Sequence, residues 1–434
     1  MRSAVFLLLA LHLIAGSGDW PGWRGPSSNG ISPLKDLPTA WSPDRNISWK
    51  TPVPGRGHSS PVVWGTHIFL TTDLEGGLIP NKVVPMHILK GQPFRNPDSR
   101  GADHEHTLKV LCYDANTGRE LWDRIVHSGE VYDEIHRTAD YAAATPATDG
   151  KYVYASFGSE GYYKLDFEGH LIWKADLGKI DTLGYGYGPS PVLYQDKVII
   201  LADQDDTAKS FIAALSTVDG RVLWKTPRKI TNTWGTPVIV EVRGEKQLIA
   251  NGGANVIAYD PRDGRELWRS EGPNGVIVHT PVFGAGMVFA SVGFPGKKTL
   301  AIRLDPAAGE NRVAWTYSKG TSYIPSPLFY NGYLYLMSDS GMLTCLDAKT
   351  GEVKYEAKRV PDPGSFTSSM TEFDGKILMT SEDGDTYVIK AGPEFQVLQK
   401  NSVGEPVAAS PALAGGSIYI RSDKSLFRIH KESR

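Results

Sequence analysis

Asp114 to Trp122 reads DANTGRELW, and this phrase decides the fold. Its pattern is the end of one strand, a tight turn and the start of a second strand. The Asp114 carboxylate is placed to hydrogen-bond the turn backbone, as Asp and Asn side chains do. Gly118 supplies the positive φ that such a turn needs. Trp122 then sets a large ring on the outgoing strand. The phrase returns at Asp260–Trp268 (DPRDGRELW), Ser216–Trp224 (STVDGRVLW) and Asp347–Tyr355 (DAKTGEVKY). Looser copies stand at Asp166–Trp173 (DFEGHLIW) and Asp305–Trp315 (DPAAGENRVAW). A hairpin repeated this often predicts a repeat array rather than several unrelated domains.

Working outward, each unit opens with Ser or Thr followed by Pro and a short apolar strand. The openings are Ser60-Pro61, Thr145-Pro146, Ser190-Pro191, Thr236-Pro237, Thr280-Pro281, Ser326-Pro327, the degenerate Ser369-Met370, and Ser410-Pro411. From Pro146 onward they recur every 41 to 46 residues, the length of four short antiparallel strands and the period of a propeller blade. Proline at a strand start is where a sheet tolerates a missing donor. Second strands such as Tyr152–Phe157 (YVYASF) and Met287–Val292 (MVFASV) carry the aromatic and β-branched residues of strands, and no stretch has helical periodicity.

The two ends complete each other. Ile47–Val53 (ISWKTPV) reads as a strand with its own Trp49 but no strands before it. Ser410–Ile429 holds three strand-like pieces and no Trp hairpin. The expected fold is therefore all-β: an eight-bladed β-propeller of four-stranded antiparallel blades, closed by the N-terminal strand joining the C-terminal blade. It is expected to occupy residues 45–430 as a single domain. Residues 1–17 have the pattern of a signal peptide, with Arg2 ahead of the apolar Val5–Ile14 and small residues before the cleavage point. This predicts export to the periplasm or the exterior. Residues 18–44 form a Trp-, Pro- and Gly-rich arm, whose DWPGWRGPSSNG (19–30) is expected to pack across the body, with Arg24 either packed or facing a ligand. The first unit runs 85 residues from Pro61 to Pro146. Its excess lies at about 73–107 and between His127 and Tyr141, with no clear strand pattern in the first insert. Long loops of this kind commonly carry function.

The net charge of −2, without a basic block, gives no reason to expect nucleic acid. No segment is long and apolar enough to span a membrane. The two cysteines, Cys112 and Cys345, lie in apolar strands and read as buried thiols rather than a disulfide framework. A single chain is the expected state.

The repeated opening, the hairpin and the closing Trp resemble the PQQ-like β-propeller repeat family, over roughly residues 40 to 430. That family holds the quinoprotein dehydrogenases and the outer-membrane assembly scaffold BamB. WPGWRGPSSNG together with GYGYGPSPV (184–192) is similar to secreted propellers of the PQQ-binding-like type. The resemblance implies an eight-bladed ring. It also implies that Trp49, Trp122, Trp173, Trp224, Trp268, Trp315 and Tyr355 pack blade against blade. For a catalytic member it would imply pyrroloquinoline quinone with calcium, an adjacent cysteine pair, calcium-binding Glu and Asn, and an Asp base. This chain has no adjacent cysteines, so no cofactor, metal or catalytic residue is assigned.

Residues just before the openings should crowd one mouth of the axial channel, and His58, Tyr187, Trp234, His279 and Tyr323 are the candidate ligand-binding set there. Tyr141, Tyr185 and Phe366 share the position. Converging rings suit a flat ligand or a peptide, and equally suit plugging the axis. Asp103-His104-Glu105-His106 has metal-ligand residue types without a third ligand, and Asp203-Gln204-Asp205-Asp206 has calcium-like oxygens without the glycine and distal Glu of a calcium loop. There is no phosphate loop, G-x-S-x-G elbow or HExxH. The expected function is an exported, non-catalytic propeller binding a protein partner or small ligand on one face. The alternative is a quinone-dependent oxidoreductase acting on an alcohol or sugar.

Overall fold

The computed structural model describes residues 18–89, 91–362 and 364–431; the expected signal peptide lies outside them. Eight antiparallel blades of four strands form the body. Blade 1 pairs Val62–Trp64, His67–Leu78, His104–Asp114 and Glu120–Glu130. The last blade pairs Ala412–Ala414, Ser417–Arg421 and Ser425–His430 with Ile47–Pro52, whose Trp49 sits opposite Arg428. The ring is latched where the chain ends meet, as the complementary halves in the sequence required. First strands of neighbouring blades touch, which places them innermost. Middle strands such as Phe211–Ser216 and Met287–Val292 are buried along their whole length because a blade covers each of their faces. The outermost strand Ile47–Pro52 alternates between half-buried and exposed positions.

The repeated hairpin is the joint between blades. Asp114 accepts hydrogen bonds from the Asn116 and Thr117 amides at 3.0 and 2.8 Å, and Asp347 holds Lys349 and Thr350 in the same way. The hairpin glycine has a positive φ in each copy, and in five of the six the Trp of the preceding blade lies directly on it. A Cβ at Gly118 would come within 2.6 Å of the Trp49 ring, at Gly169 within 2.7 Å of Trp122, and at Gly220 within 2.9 Å of Trp173. Gly264 bears on Trp224 and Gly351 on Trp315 in the same manner. The indole N–H of Trp49, Trp122, Trp173 and Trp315 donates to a backbone carbonyl of the next blade's hairpin at 2.7–3.2 Å. Trp268 instead bonds Gln247 of its own blade and lies under Arg312, because the longer Asp305–Trp315 hairpin brings no glycine to it. Tyr355 packs edge-on against Phe395.

The Ser/Thr openings also have a physical role. The Ser60 amide donates to the Thr145 hydroxyl, Thr145 to Ser190, and Ser190 to Thr236. Thr280 donates to Ser326, Ser326 to Ser369, Ser369 to Ser410, and Ser410 back to Ser60, all at 2.9–3.1 Å. Seven amide-to-hydroxyl bonds thus form a belt around the axis from Thr280 through Ser60 to Thr236, and the Thr280 hydroxyl accepts instead from Trp23 of the arm. The degenerate Ser369-Met370 keeps the hydroxyl, the group the belt uses, and loses only the proline. Each such bond contributes roughly 0.5–1.5 kcal/mol.

The arm packs as expected and seals one end of the axis. It crosses the end bearing the first-to-second-strand turns, where Gly65 N bonds Asp19 and Gly415 N bonds the Gly18 carbonyl. Trp20, almost fully buried, pairs its backbone with Val63, and the Pro21 carbonyl accepts from Thr148. Trp23 reaches the belt, its indole N–H donating to the Thr280 hydroxyl at 2.8 Å. Ile31–Ser32 then adds a parallel strand to the seventh blade, opposite Glu372 and Phe373.

The first insert departs from the sequence reading. His67–Leu78 and His104–Asp114 continue as one long ladder, paired out to Leu78 opposite His104. Buried Asp73 and His106 stabilise that extension, with Nδ1···Oδ1 at 2.8 Å. Beyond it lie a small hairpin, His87–Leu89 with Gln92–Phe94, and a Ser99–Arg100 pairing with Ile135–His136.

The hairpin geometry makes a direct prediction. Gly220→Ala should destabilise by about 2–4 kcal/mol, combining left-handed backbone strain with overpacking against Trp173. Gly332 has a φ of +82° with nothing near a Cβ, so Gly332→Ala should cost only the backbone part, about 1–2 kcal/mol. Chemical denaturation of both variants measures the difference.

Candidate functional site: the open mouth of the axial channel

With one end closed, the opposite end is where loops gather. These are the loops into each blade and those between second and third strands. Two surfaces meet there. One is aromatic. Tyr185 stacks on His136 at 6.1 Å and meets Trp234 edge-on at 5.8 Å. Phe294 meets Tyr323 edge-on at 5.9 Å. Tyr185 and Phe294 are 38% and 56% exposed, unusual values for rings that could have been buried. The other surface is a polar cleft of about 750 Å³, lined by Lys297, Ser338, Asp339, Ser340, Glu382 and Asp383 among others. The two surfaces join at Tyr323, because the Asp339 carboxylate accepts from the Tyr323 and Ile324 amides at 2.9 and 3.2 Å. Burial, then the nearby Asp383 and Asp339 charges, raise the pKa of Glu382.

The five candidate residues divide. Trp234 and Tyr323 belong to the aromatic surface, and the Trp234 indole is fixed by the Gly186 carbonyl at 2.7 Å. Tyr187 turns inward, bonding the Leu201 carbonyl and packing against Tyr162 between blades. His279 is fully buried, held between the Ser291 carbonyl and the Ser322 hydroxyl at 3.1 Å each. Desolvation pulls its pKa down to about 4, so it is neutral at neutral pH. His58 is half-buried and meets Asp140 at 3.1 Å, a carboxylate partner 82 positions along the chain that no local pattern indicates. Of the additional rings, Tyr141 is locked by the Asp133 carbonyl and His106, Phe366 is buried, and Tyr185 alone is exposed.

Phe294, Asp339 and Glu382 belong to no motif in the sequence, and Asp383-Gly384-Asp385 reads there as a turn between strands. They stand at the ends of second strands, in the turns FPG (294–296), SDSG (338–341) and SEDG (381–384). Aligning those turns between units was the signal that would have found them.

The acidic stretches serve the scaffold. His104 bonds its neighbour Asp103, and His106 bonds Asp73 and the Gly101 carbonyl. Asp203 is fully buried in a two-pronged pair with Arg228, at 2.7 and 3.2 Å, and accepts from the Thr233 hydroxyl. Among the described residues no three His, Cys, Asp or Glu side chains gather to hold a metal.

His87 fastens the insert to the rim of the mouth. Its Nε2 meets Asp133 at 3.0 Å, and its Nδ1 makes an ion contact with Asp205 at 2.8 Å that is out of line for a hydrogen bond. Beside it, Arg95 makes a two-pronged pair with Glu134. Burial acts to lower the His87 pKa, but the two carboxylates outweigh it and raise it from 6.5 to about 10. A folded pKa above the unfolded one gives stabilisation that is complete below about 6.5 and lost as pH rises through 10. Proteolytic cutting within residues 79–99 should therefore increase from pH 6.5 to 10 in the native protein. It should be high throughout that range in His87→Gln.

Comparison with known proteins agrees with this architecture. The family described as outer membrane protein assembly factor BamB matches residues 98–226. BamB of Salmonella typhimurium is 26% identical over 191 residues, which are 41% of this chain and 45% of that protein. The chain thus matches less than half the length of that curated relative. BamB from Moraxella catarrhalis superposes with a TM-score of 0.57 at 14% identity, covering 84% of this chain and 99% of that one. Quinohemoprotein alcohol dehydrogenase from Comamonas testosteroni gives 0.60 at 12% identity, covering 97% and 82%. The chain is an eight-bladed β-propeller, and its fold is similar to that of BamB and of the quinohemoprotein alcohol dehydrogenase.

Proposed function

We propose that this chain is an exported, non-catalytic propeller that holds a protein partner on the mouth face, a scaffold role of the BamB kind. The observation that carries the reading is the asymmetry of the two ends. The arm closes one, while the other displays Tyr185, Trp234, Phe294 and Tyr323 around an open cleft. Aromatic side chains presented on rigid loops are strong binding anchors, since they bury much area for little lost freedom. The insert adds exposed Val83, Met86 and Ile88 at the rim. Among the described residues no helix is long and apolar enough to cross a membrane. The signal-peptide pattern and the likeness to BamB together support a periplasmic or secreted site of action.

The residues present do not fit pyrroloquinoline quinone. That cofactor carries three carboxylates, while the cleft at the mouth is lined by the carboxylates of Asp339, Glu382 and Asp383 beside Lys297. Like charges so placed repel. Cys112 and Cys345 are buried in separate blades, opposite Trp122 and Tyr355, and cannot form the adjacent pair of the catalytic members.

A photo-crosslinking residue at Tyr185 or Phe294, introduced in the exporting cell, should capture one defined partner. The same residue at Lys349, on the opposite end, should capture none. Joint Tyr185→Ala and Phe294→Ala substitution should weaken that complex by about 2 kcal/mol or more, roughly 30-fold. Equal capture from both ends would overturn the reading. So would dye reduction by the protein reconstituted with quinone and calcium.

A further inference from the structure

Several acids around the mouth are answered by bases of the scaffold. Asp140 meets His58, Asp133 and Asp205 meet His87, and Glu134 meets Arg95. In the third blade Asp203 follows the second strand, and buried Arg228 consumes its charge. The sixth and seventh blades carry acids in the equivalent turn, Asp339 in one and Glu382 with Asp383 in the other. There the scaffold supplies no matching base. Three carboxylates and one lysine, Lys297, line the cleft of about 750 Å³, which leaves it net negative. Burial first, then the charges of Asp383 and Asp339, hold the Glu382 carboxyl above its ordinary range. A cation brought into the cleft relieves that repulsion.

Exposed rings adjoin these carboxylates. Both oxygens of Asp339 accept from the Tyr323 amide at 2.9 Å, which fixes the carboxylate at the root of the Tyr323 side chain. Phe294 meets Tyr323 edge-on and is itself more than half exposed. Lys297, three residues after Phe294, lines the cleft, so the Phe294 turn forms part of its wall. Tyr185, which lies close enough to Tyr323 to act on its ionisation, continues the apolar surface toward Trp234. The mouth thus offers negative charge on one side and bare aromatic area on the other. Of the side chains a protein can present, arginine suits that border best. Its planar guanidinium stacks on a ring while its fork of N–H groups reaches carboxylates, which a lysine ammonium does less well.

We infer that the mouth selects its protein partner through an arginine carried beside an apolar residue: the guanidinium enters the cleft of Asp339, Glu382 and Asp383, and the apolar neighbour covers the exposed rings. The inference rests on the reading of the mouth as a partner-binding face and names what that partner must present. Acidic segments are repelled by the same cleft, so the charge sets specificity while the rings supply buried area.

The probe is a short peptide, acetylated and amidated at its ends, with one arginine next to a leucine and no other charge. It is compared with the same peptide carrying citrulline, the neutral counterpart of arginine. Titrated into the full chain, the arginine peptide should bind saturably and about tenfold more tightly than the citrulline peptide. Joint Glu382→Gln and Asp383→Asn substitution should weaken the arginine peptide by about fivefold or more and leave the citrulline peptide unchanged. Lys297→Glu should strengthen the arginine peptide several-fold. Equal affinity for the two peptides, no saturable binding of the arginine peptide, or affinity unchanged by the joint substitution would each overturn the inference. Agmatine binding as tightly as the peptide would do so too, since the cleft would then take a free cation rather than a protein segment. The broader reading is judged separately, by crosslinking from Tyr185 or Phe294. A partner captured equally well by the Glu382→Gln, Asp383→Asn protein would leave the mouth a docking face and remove the arginine. Failure to capture any partner would remove the docking face itself.

Discussion

A tryptophan of one blade lying flat on the turn glycine of the next is the contact on which the rest of the structure depends. It couples two requirements in one residue pair. The glycine must take a left-handed backbone to close its own hairpin, and it must lack a Cβ so that the neighbouring ring can approach. The indole N–H then bonds the hairpin it covers. Local turn and inter-blade packing are thereby the same interaction. Where the glycine is kept, a well-formed blade also presents the seat for its neighbour. The Trp49 contact on Gly118 carries this coupling across the junction of the chain ends.

At the axis the belt of hydroxyls and amides does for the inner strands what the tryptophans do outside. The arm engages that belt through Trp23 and occupies one end of the channel. Everything about the mouth follows from this polarity. Loops at the sealed end are short turns, whereas those at the mouth are free to carry Tyr185, Phe294 and Asp339. The rigid ring positions them, and the insert, fastened by His87, builds one wall.

Much of the fold was legible because it rests on short-range chemistry repeated in register. The DANTGRELW phrase marks hairpins, the Ser/Thr-Pro openings mark inner strands, and their spacing counts blades. Even the degenerate Ser369-Met370 was rightly counted, for the serine is what the belt requires. The mouth was only half legible. Trp234 and Tyr323 could be placed from their position ahead of the openings, yet the same rule selected Tyr187 and His279, which turn into the wall. The position in a repeat specifies the backbone, while neighbouring side chains decide whether a ring faces inward or outward. The insert showed the opposite failure: irregular composition concealed a continuous ladder from Leu78 to His104 that is supported by a buried Asp–His pair.

The amino-acid sequence by itself determined the number of blades and the closure of the ring by its own N-terminal strand, while the tryptophan joints were implied by the family resemblance. Each is set by turn residues and spacing acting within one repeat or between two successive ones. The tertiary structure alone decided where the arm seals the axis, and that His58 meets Asp140. It also decided that the acidic stretch at 203–206 pairs with Arg228 and His87, and that buried Arg24 bonds the Asn29 carbonyl. These contacts join residues that no period relates. They come into being only when closing the ring brings distant loops to one end, where burial and charge select the partners.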